Sequence, residues 1–215
     1  MSVAAKICGL STEAAVTTAV AGGAAYLGFV FYPPSPRAVT PTKAARLCAA
    51  VPSGIARVGL FVDTDDDTIG AVLAEVPIDI LQFHGRESPD RVADARLRFA
   101  RPVMKAVAIA APEDVLAAAR YEEVADMLLF DAKPPRRPDA LPGGNGLAFD
   151  WALIAGRSWR REWMLSGGLT VELLPEAVRI SGAGLVDVSS GVESRPGEKD
   201  LDKISAFLAA ARALG

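Results

Sequence analysis

The sequence predicts an α/β protein, a single-domain (β/α)8 barrel of the TIM type spanning residues 1–215. Short aliphatic or β-branched runs recur eight times along the chain, and Ala-rich stretches of helical pattern separate them. The runs are continuous rather than alternating, as expected of parallel strands covered on both faces. A length of 215 residues suits one such barrel with a large buried core. An open doubly wound sheet is the other arrangement of alternating strands and helices, but eight repeats favour closure.

In chain order the strand runs are 4–8, 26–31, 57–62, 80–83, 103–107, 127–131, 163–166 and 185–189. The apolar run 17–31 is broken by Gly22, Gly23 and Gly28, so it reads as a helix end, a turn and a buried strand. A membrane span needs about 20 unbroken apolar residues. Cys48 lies in the helical pattern Ala44-Ala45-Arg46-Leu47-Cys48-Ala49-Ala50 and reads as a small core residue. Asp63, Asp65, Asp66 and Asp67 follow the third strand and read as helix capping and first-turn charge rather than a metal site. Ser88-Pro89-Asp90 places a cap, a proline at the first helical position and an acid at the positive helix end, and Ala111-Pro112-Glu113-Asp114 is similar. Eight helices are expected between and after the strands. The longest irregular stretch, 132–148, holds four prolines and three glycines after the sixth strand, as a functional loop or lid would.

Composition narrows the function classes. A net charge of −3 argues against a nucleic-acid partner. Two cysteines make no disulfide framework and point to a reducing, cytoplasmic setting, and no signal peptide is evident. No feature of the sequence sets an oligomeric state.

In such barrels the active site lies at the C-terminal strand ends. Those ends carry Cys8, Arg37 beyond the second strand, His84, Asp131, Gly167-Gly168 and Ser190-Gly191. Glycine lets backbone N–H groups approach an anion, and the turns after strands seven and eight are the frequent phosphate site of this fold. Gly144 and Gly146 offer further amides. A thiol at Cys8 can act as base or nucleophile, and a carboxyl at Asp131 as general acid. Such a pair suits proton abstraction and return without a cofactor or metal. Arg37 can grip a carboxylate in a bidentate manner, and His84 is either a ligand contact or a satisfied rim histidine. Side-chain alternation points Lys6 and Cys8 to one side of the first strand, and Asp187 with Ser189 to one side of the eighth. A buried ammonium needs a partner, so either Lys6 or Lys105, mid-strand in the fifth, is expected to pair with Asp187 in an inner polar layer.

These motifs, in this order, resemble the phosphoribosylanthranilate isomerase family. The resemblance rests on Lys6-Ile7-Cys8-Gly9-Leu10, the stretch Gly28 to Arg37, Leu81-Gln82-Phe83-His84-Gly85, Leu129-Phe130-Asp131, Gly143-Gly144-Asn145-Gly146, Leu165-Ser166-Gly167-Gly168-Leu169 and Asp187-Val188-Ser189-Ser190-Gly191-Val192-Glu193. Pro196-Gly197-Glu198-Lys199-Asp200 and a terminal helix over 203–214 complete it, so it covers essentially the whole chain. It implies a cofactor-free Amadori rearrangement of a small phosphosugar in tryptophan biosynthesis. It also implies Asp131 as the acid that opens the ribose ring and Cys8 as the base that removes the C2 proton. Arg37 would hold the anthranilate carboxylate, and the turns at Gly167-Gly168 and Ser190-Gly191, helped by Gly144 and Gly146, the phosphate. The chain departs from the family pattern at Ser11-Thr12-Glu13, at Ala24-Ala25 and at Phe83 before His84. None of these touches the acid, base or anion positions. The competing readings are another phosphate-binding barrel isomerase, which would prefer carboxylates at both catalytic strand tips where this chain has Cys8, and a non-catalytic phosphosugar-binding barrel, against which Cys8 together with Asp131 argues.

Overall fold

The computed structural model describes residues 3–135 and 141–214. Eight parallel strands close into a barrel in sequential order: β1 (Ala4–Cys8), β2 (Tyr26–Val30), β3 (Ala56–Phe61), β4 (Ile80–Phe83), β5 (Val103–Ile109), β6 (Met127–Ala132), β7 (Glu162–Leu165) and β8 (Leu185–Val188). The seam is the β1–β8 pairing, in register from Ala4 opposite Leu185 to Ile7 opposite Val188. Around the barrel run α1 (Glu13–Ala21), α2 (Pro41–Ala49), α3 (Asp66–Glu75), α4 (Pro89–Phe99), α5 (Pro112–Ala118), α6 (Leu174–Ser181) and α7 (Leu201–Ala213). Among the described residues no helix is long and apolar enough to cross a membrane.

The start signals in the sequence work as caps. Ser88 accepts from the Arg91 amide at 3.2 Å with Pro89 in the first turn of α4. Asp65 accepts from the Thr68 amide at 2.8 Å and starts α3. Asp66 pairs with Arg91 and Arg98, and Asp63 accepts from the Arg86 amide at 2.6 Å, so the acidic run is spent on local structure. Before α5, Asp114 reaches back to the amides of Ala110 and Ala111 at 2.9 and 3.1 Å. Cys48 is buried in α2, and burial pushes its thiol up to about 11, which makes it inert.

One expected helix is not found among the described residues. Among the described residues the β6–β7 connection carries a single 3-10 turn, Trp151–Leu153, in place of an α-helix. Side-chain bulk takes over its covering role. The Trp159 and Trp163 rings lie 4.7 and 5.6 Å from the Phe130 ring on the outer face of β6, and Arg157 stacks 4.3 Å over Trp159. Residues 136–140 of the expected lid loop lie outside the described residues. After β8 the chain adds an antiparallel hairpin that periodicity did not signal, β9 (Glu193–Arg195) with β10 (Glu198–Lys199).

Strand alternation divides the core. Outward side chains such as Ile7, Phe29, Phe61, Phe83 and Phe130 pack with the helices. Val58, Met104, Leu129 and Met164 fill the barrel's interior, and Cys8, Val30 and Leu60 form its upper layer. This parity settles the lysines. Lys6 faces inward and binds Asp187 Oδ1 at 2.8 Å, with both side chains buried in register across the seam. Lys105 does not reach Asp187. It packs beside outward-facing Phe83 and donates to Glu87 at 3.0 Å and to the Gly85 carbonyl at 2.8 Å.

Phe130→Ala removes the ring that the two tryptophans cover and is expected to destabilise the fold by about 3–5 kcal/mol. Leu97→Ala, at a position 80 % exposed, is expected to change stability by less than about 0.5 kcal/mol. Urea unfolding of both variants checks the contrast.

Candidate active site

The strand ends converge on one cleft of about 750 Å³, counting the space open to solvent. Cys8, Arg37, His84, Asp131, Gly144, Gly146, Gly167, Gly168, Ser190 and Gly191 all line it. Sequence reasoning thus named ten residues, and closure of the barrel brings all ten to the same mouth.

Cys8 sits at the tip of β1. Its carbonyl accepts from Ser189 Oγ at 3.1 Å, which ties the first strand tip to the last. Gly28 on β2 leaves the hole into which the thiol fits. A Cβ there would lie 2.8 Å from Cys8 Sγ and 3.2 Å from Lys6 Nζ. Burial raises the thiol pKa. Lys6 opposes that rise, Asp187 adds to it and Lys199 opposes it, with the net result above the ordinary value of 9.0.

Asp131 stands at the end of β6. Its Oδ1 accepts from the Ala132 amide at 2.8 Å and its Oδ2 lies 3.1 Å from His84 Nε2. The other ring nitrogen, Nδ1, is 2.9 Å from Gln82 Nε2. With the Gln82 amide donating, the ring proton sits on Nε2 and points at Asp131. His84 is therefore both a rim contact and the orienting partner of the carboxyl. The loop backbone passes directly over the pair, because a Cβ on Gly143 would fall 2.5 Å from His84 Nε2 and 2.7 Å from Asp131 Oδ2.

Arg37 departs from the simple bidentate reading. Its Nε and Nη2 both bind Glu193, each at 2.8 Å, and Nη2 also donates to the Gly144 carbonyl at 3.2 Å. The fork is thus spent on a protein carboxylate, and among the described residues Nη1 is the nitrogen left for a ligand. Glu193 is a hub that sequence reasoning placed only within a motif. It also takes Lys199 Nζ at 2.8 Å and the Gly197 amide at 3.3 Å, which pins the β9–β10 hairpin against the cleft. Burial alone would raise its pKa, but Arg37 and Lys199 outweigh that and hold the carboxyl below its usual 4.5.

The anion cradle is built from backbone. The turn after β7 carries Gly167 and Gly168 at φ +87° and +63°, a region closed to most side-chain-bearing residues. The N–H groups of Gly168, Ser190 and Gly191 donate to no backbone acceptor among the described residues, so they remain available to a ligand. The two turns touch, since a Cβ on Gly191 would overlap the Leu169 carbonyl oxygen. The cleft therefore offers amide donors, a cation, an oriented carboxyl and a thiol.

A family model described as N-(5'phosphoribosyl)anthranilate (PRA) isomerase matches residues 5–210. Among curated relatives, the N-(5'-phosphoribosyl)anthranilate isomerase of Paracoccus denitrificans is 58% identical over 214 residues, covering 99% of each chain. That of Cereibacter sphaeroides is 57% identical over 207 residues, covering 96% of this chain and 97% of the relative. Among solved structures, the phosphoribosyl anthranilate isomerase of Thermotoga maritima superposes with a TM-score of 0.88 at 36% identity, covering 99% of this chain and all of that one. A phosphoribosyl anthranilate isomerase in complex with reduced 1-(o-carboxyphenylamino)-1-deoxyribulose 5-phosphate superposes with a TM-score of 0.85 at 34% identity, with the same coverage.

Gly191→Ala is expected to push the two turns apart and to weaken inorganic phosphate binding at least about tenfold by calorimetry, by removing well-placed charge-assisted hydrogen bonds. A depressed carboxylate pKa stabilises the fold above the unfolded value of 4.5 and loses that contribution as pH falls through the lower folded value. Unfolding stability measured between about pH 5 and pH 3 is accordingly expected to fall more steeply in the parent than in Glu193→Gln.

Proposed function

The chain belongs to the N-(5'-phosphoribosyl)anthranilate isomerase family, and we propose that its cleft rearranges that substrate with Asp131 as general acid and Cys8 as general base. The supporting observation is the placement of amide donors after β7 and β8 around a cleft that Cys8 and Asp131 both line. A doubly charged phosphate matches unpaired backbone N–H groups. Nη1 of Arg37 matches the anthranilate carboxylate, the second anion of the substrate.

With both ends anchored, the sugar ring lies between the two proton-transfer groups. The Asp131 carboxyl gives its proton to the ring oxygen as the C1–O bond breaks, and the anthranilate nitrogen supplies the electron pair that forms the Schiff base. The Cys8 thiolate then removes the proton from C2. Those electrons form the C1–C2 double bond and neutralise the iminium nitrogen. The resulting enolamine tautomerises to the ketone, 1-(2-carboxyphenylamino)-1-deoxyribulose 5-phosphate. Protons given and taken balance, so the reaction is a redox-neutral isomerisation. Holding the reacting atoms between two fixed anion sites supplies orientation, and the acid and base supply the proton transfers. His84 keeps the Asp131 carboxyl turned toward the ring oxygen.

Cys8→Ala and Asp131→Asn are each expected to lower kcat at least about a hundredfold, the scale of one general acid or base. Both variants should still bind a phosphorylated product analogue. The assay is the loss of anthranilate-type fluorescence on freshly generated phosphoribosylanthranilate. Near-parent turnover in either variant removes that residue from its role. An inactive parent that binds the analogue moves the assignment to a different phosphosugar.

A further inference from the structure

We propose that the buried Lys6 ammonium, held in place by Asp187, stabilises the thiolate form of Cys8 and so acts as a positioning residue for the base. The inference rests on the reading of Cys8 as general base and goes beyond it by naming what ionises a thiol in a buried site.

The geometry leaves the ammonium one free neighbour. Lys6 is fully buried, and its Nζ lies 2.8 Å from Asp187 Oδ1. The other oxygen of Asp187 is taken by Ser166 Oγ at 3.0 Å. An ammonium carries three N–H donors, and among the described residues Asp187 takes one. Lys6 Nζ and Cys8 Sγ bound the same hole beside Gly28, 3.2 and 2.8 Å from where a Cβ would stand. The absent side chain at Gly28 leaves the space that both groups border. A buried ion pair adds little net stability compared with apolar residues that fill the same space. Placing one directly beneath the thiol does something that apolar residues cannot.

The charges have a definite balance. Burial works to strip the Lys6 proton, but Asp187 and Cys8 outweigh it and hold the pKa above 10.5. Lys6 therefore stays cationic through the working range. Around the thiol stand Lys6 from β1, Asp187 from β8 and Lys199 from β10, with Arg37, His84 and Asp131 lining the same cleft. Asp187 partly offsets Lys6, so the pair pulls the thiol down less than a lone cation would. Lys6 remains the largest force opposing burial.

The test uses Cys48→Ala as the parent, so that Cys8 is the single thiol. The rate of Cys8 alkylation by iodoacetamide is followed against pH by mass spectrometry, beside the pH profile of kcat/KM. In Lys6→Met the alkylation midpoint is expected to rise by about one to two pH units, the scale for loss of a close opposite charge, and the acidic limb of kcat/KM to rise with it. Because Lys6→Met strands Asp187, the companion Lys6→Met/Asp187→Asn removes both buried charges. Its midpoint is expected to rise by a smaller amount, since the ammonium outweighs the carboxylate. A folded variant, by near-ultraviolet circular dichroism, whose alkylation midpoint equals the parent's overturns the proposal. A midpoint that rises while the acidic limb stays put upholds the Lys6–Cys8 coupling and removes Cys8 from the role of base.

Discussion

The structure depends on closure of the barrel at one seam. The first strand must lie beside the last, and the register of β1 against β8 sets Lys6 opposite Asp187 inside the barrel. A one-residue slip of β1 would turn Lys6 out of the interior and Cys8 out of the cleft, and would leave Asp187 buried without its partner. Buried charges tolerate no such error. Breaking a buried ion pair by stranding one partner costs about 3–5 kcal/mol. The pair therefore does two things through one geometry. It penalises wrong registers at closure, and it delivers a thiol from residue 8 to a turn at residues 189–191 at the other end of the chain.

Above that seam, function is assembled by close approach of backbones. Gly28 makes room for the thiol and ammonium, Gly143 for the His84–Asp131 pair, and Gly191 for the contact between the two anion turns. At each of these positions an added methyl group would force its neighbours to shift, and at Gly191 the neighbour is backbone. Glu193 makes the complementary contribution through charge. It gathers Arg37, Lys199 and the Gly197 amide around one carboxylate. The hairpin after β8 is thereby locked to the loop after β2. Arg37 reaches the cleft already held, its side-chain entropy lost on folding.

Much of this was legible in the sequence, for reasons that differ by element. The strands were readable because runs such as Ile80–Phe83 are buried on both faces and show no alternation. Lys6 was readable because parity along β1 ties it to Cys8. Lys105 looked equivalent from position alone, but its parity is opposite, and the sequence names Glu87 as its partner only once β4 and β5 are in register. That the described residues between β6 and β7 hold no α-helix was hidden because Trp151, Trp159 and Trp163 supply the apolar cover that a helix face would otherwise give. Arg37 was correctly sent to the cleft, yet the engagement of its fork was invisible. Glu193 lies 156 residues away, and nothing local announces that the two meet.

Asp131 and Cys8 stand in different electrostatic settings, which suits the acid and base roles proposed for them. A base must lose its proton before it acts, and the Lys6 and Lys199 ammonium groups oppose the rise that burial imposes on the Cys8 thiol. A general acid must hold its proton until the substrate takes it, and among the described residues the hydrogen-bond partners of the Asp131 carboxyl are the Ala132 amide and an imidazole rather than a lysine or arginine. The imidazole suits both states of the acid. With Gln82 Nε2 donating to Nδ1, His84 gives a hydrogen bond from Nε2 to the carboxylate. With the Gln82 amide turned over, its oxygen, which has no partner among the described residues, accepts from Nδ1–H. Nε2 can then accept from the protonated carboxyl. An imidazole backed by a reversible amide can thus present Nε2 to Asp131 as either donor or acceptor.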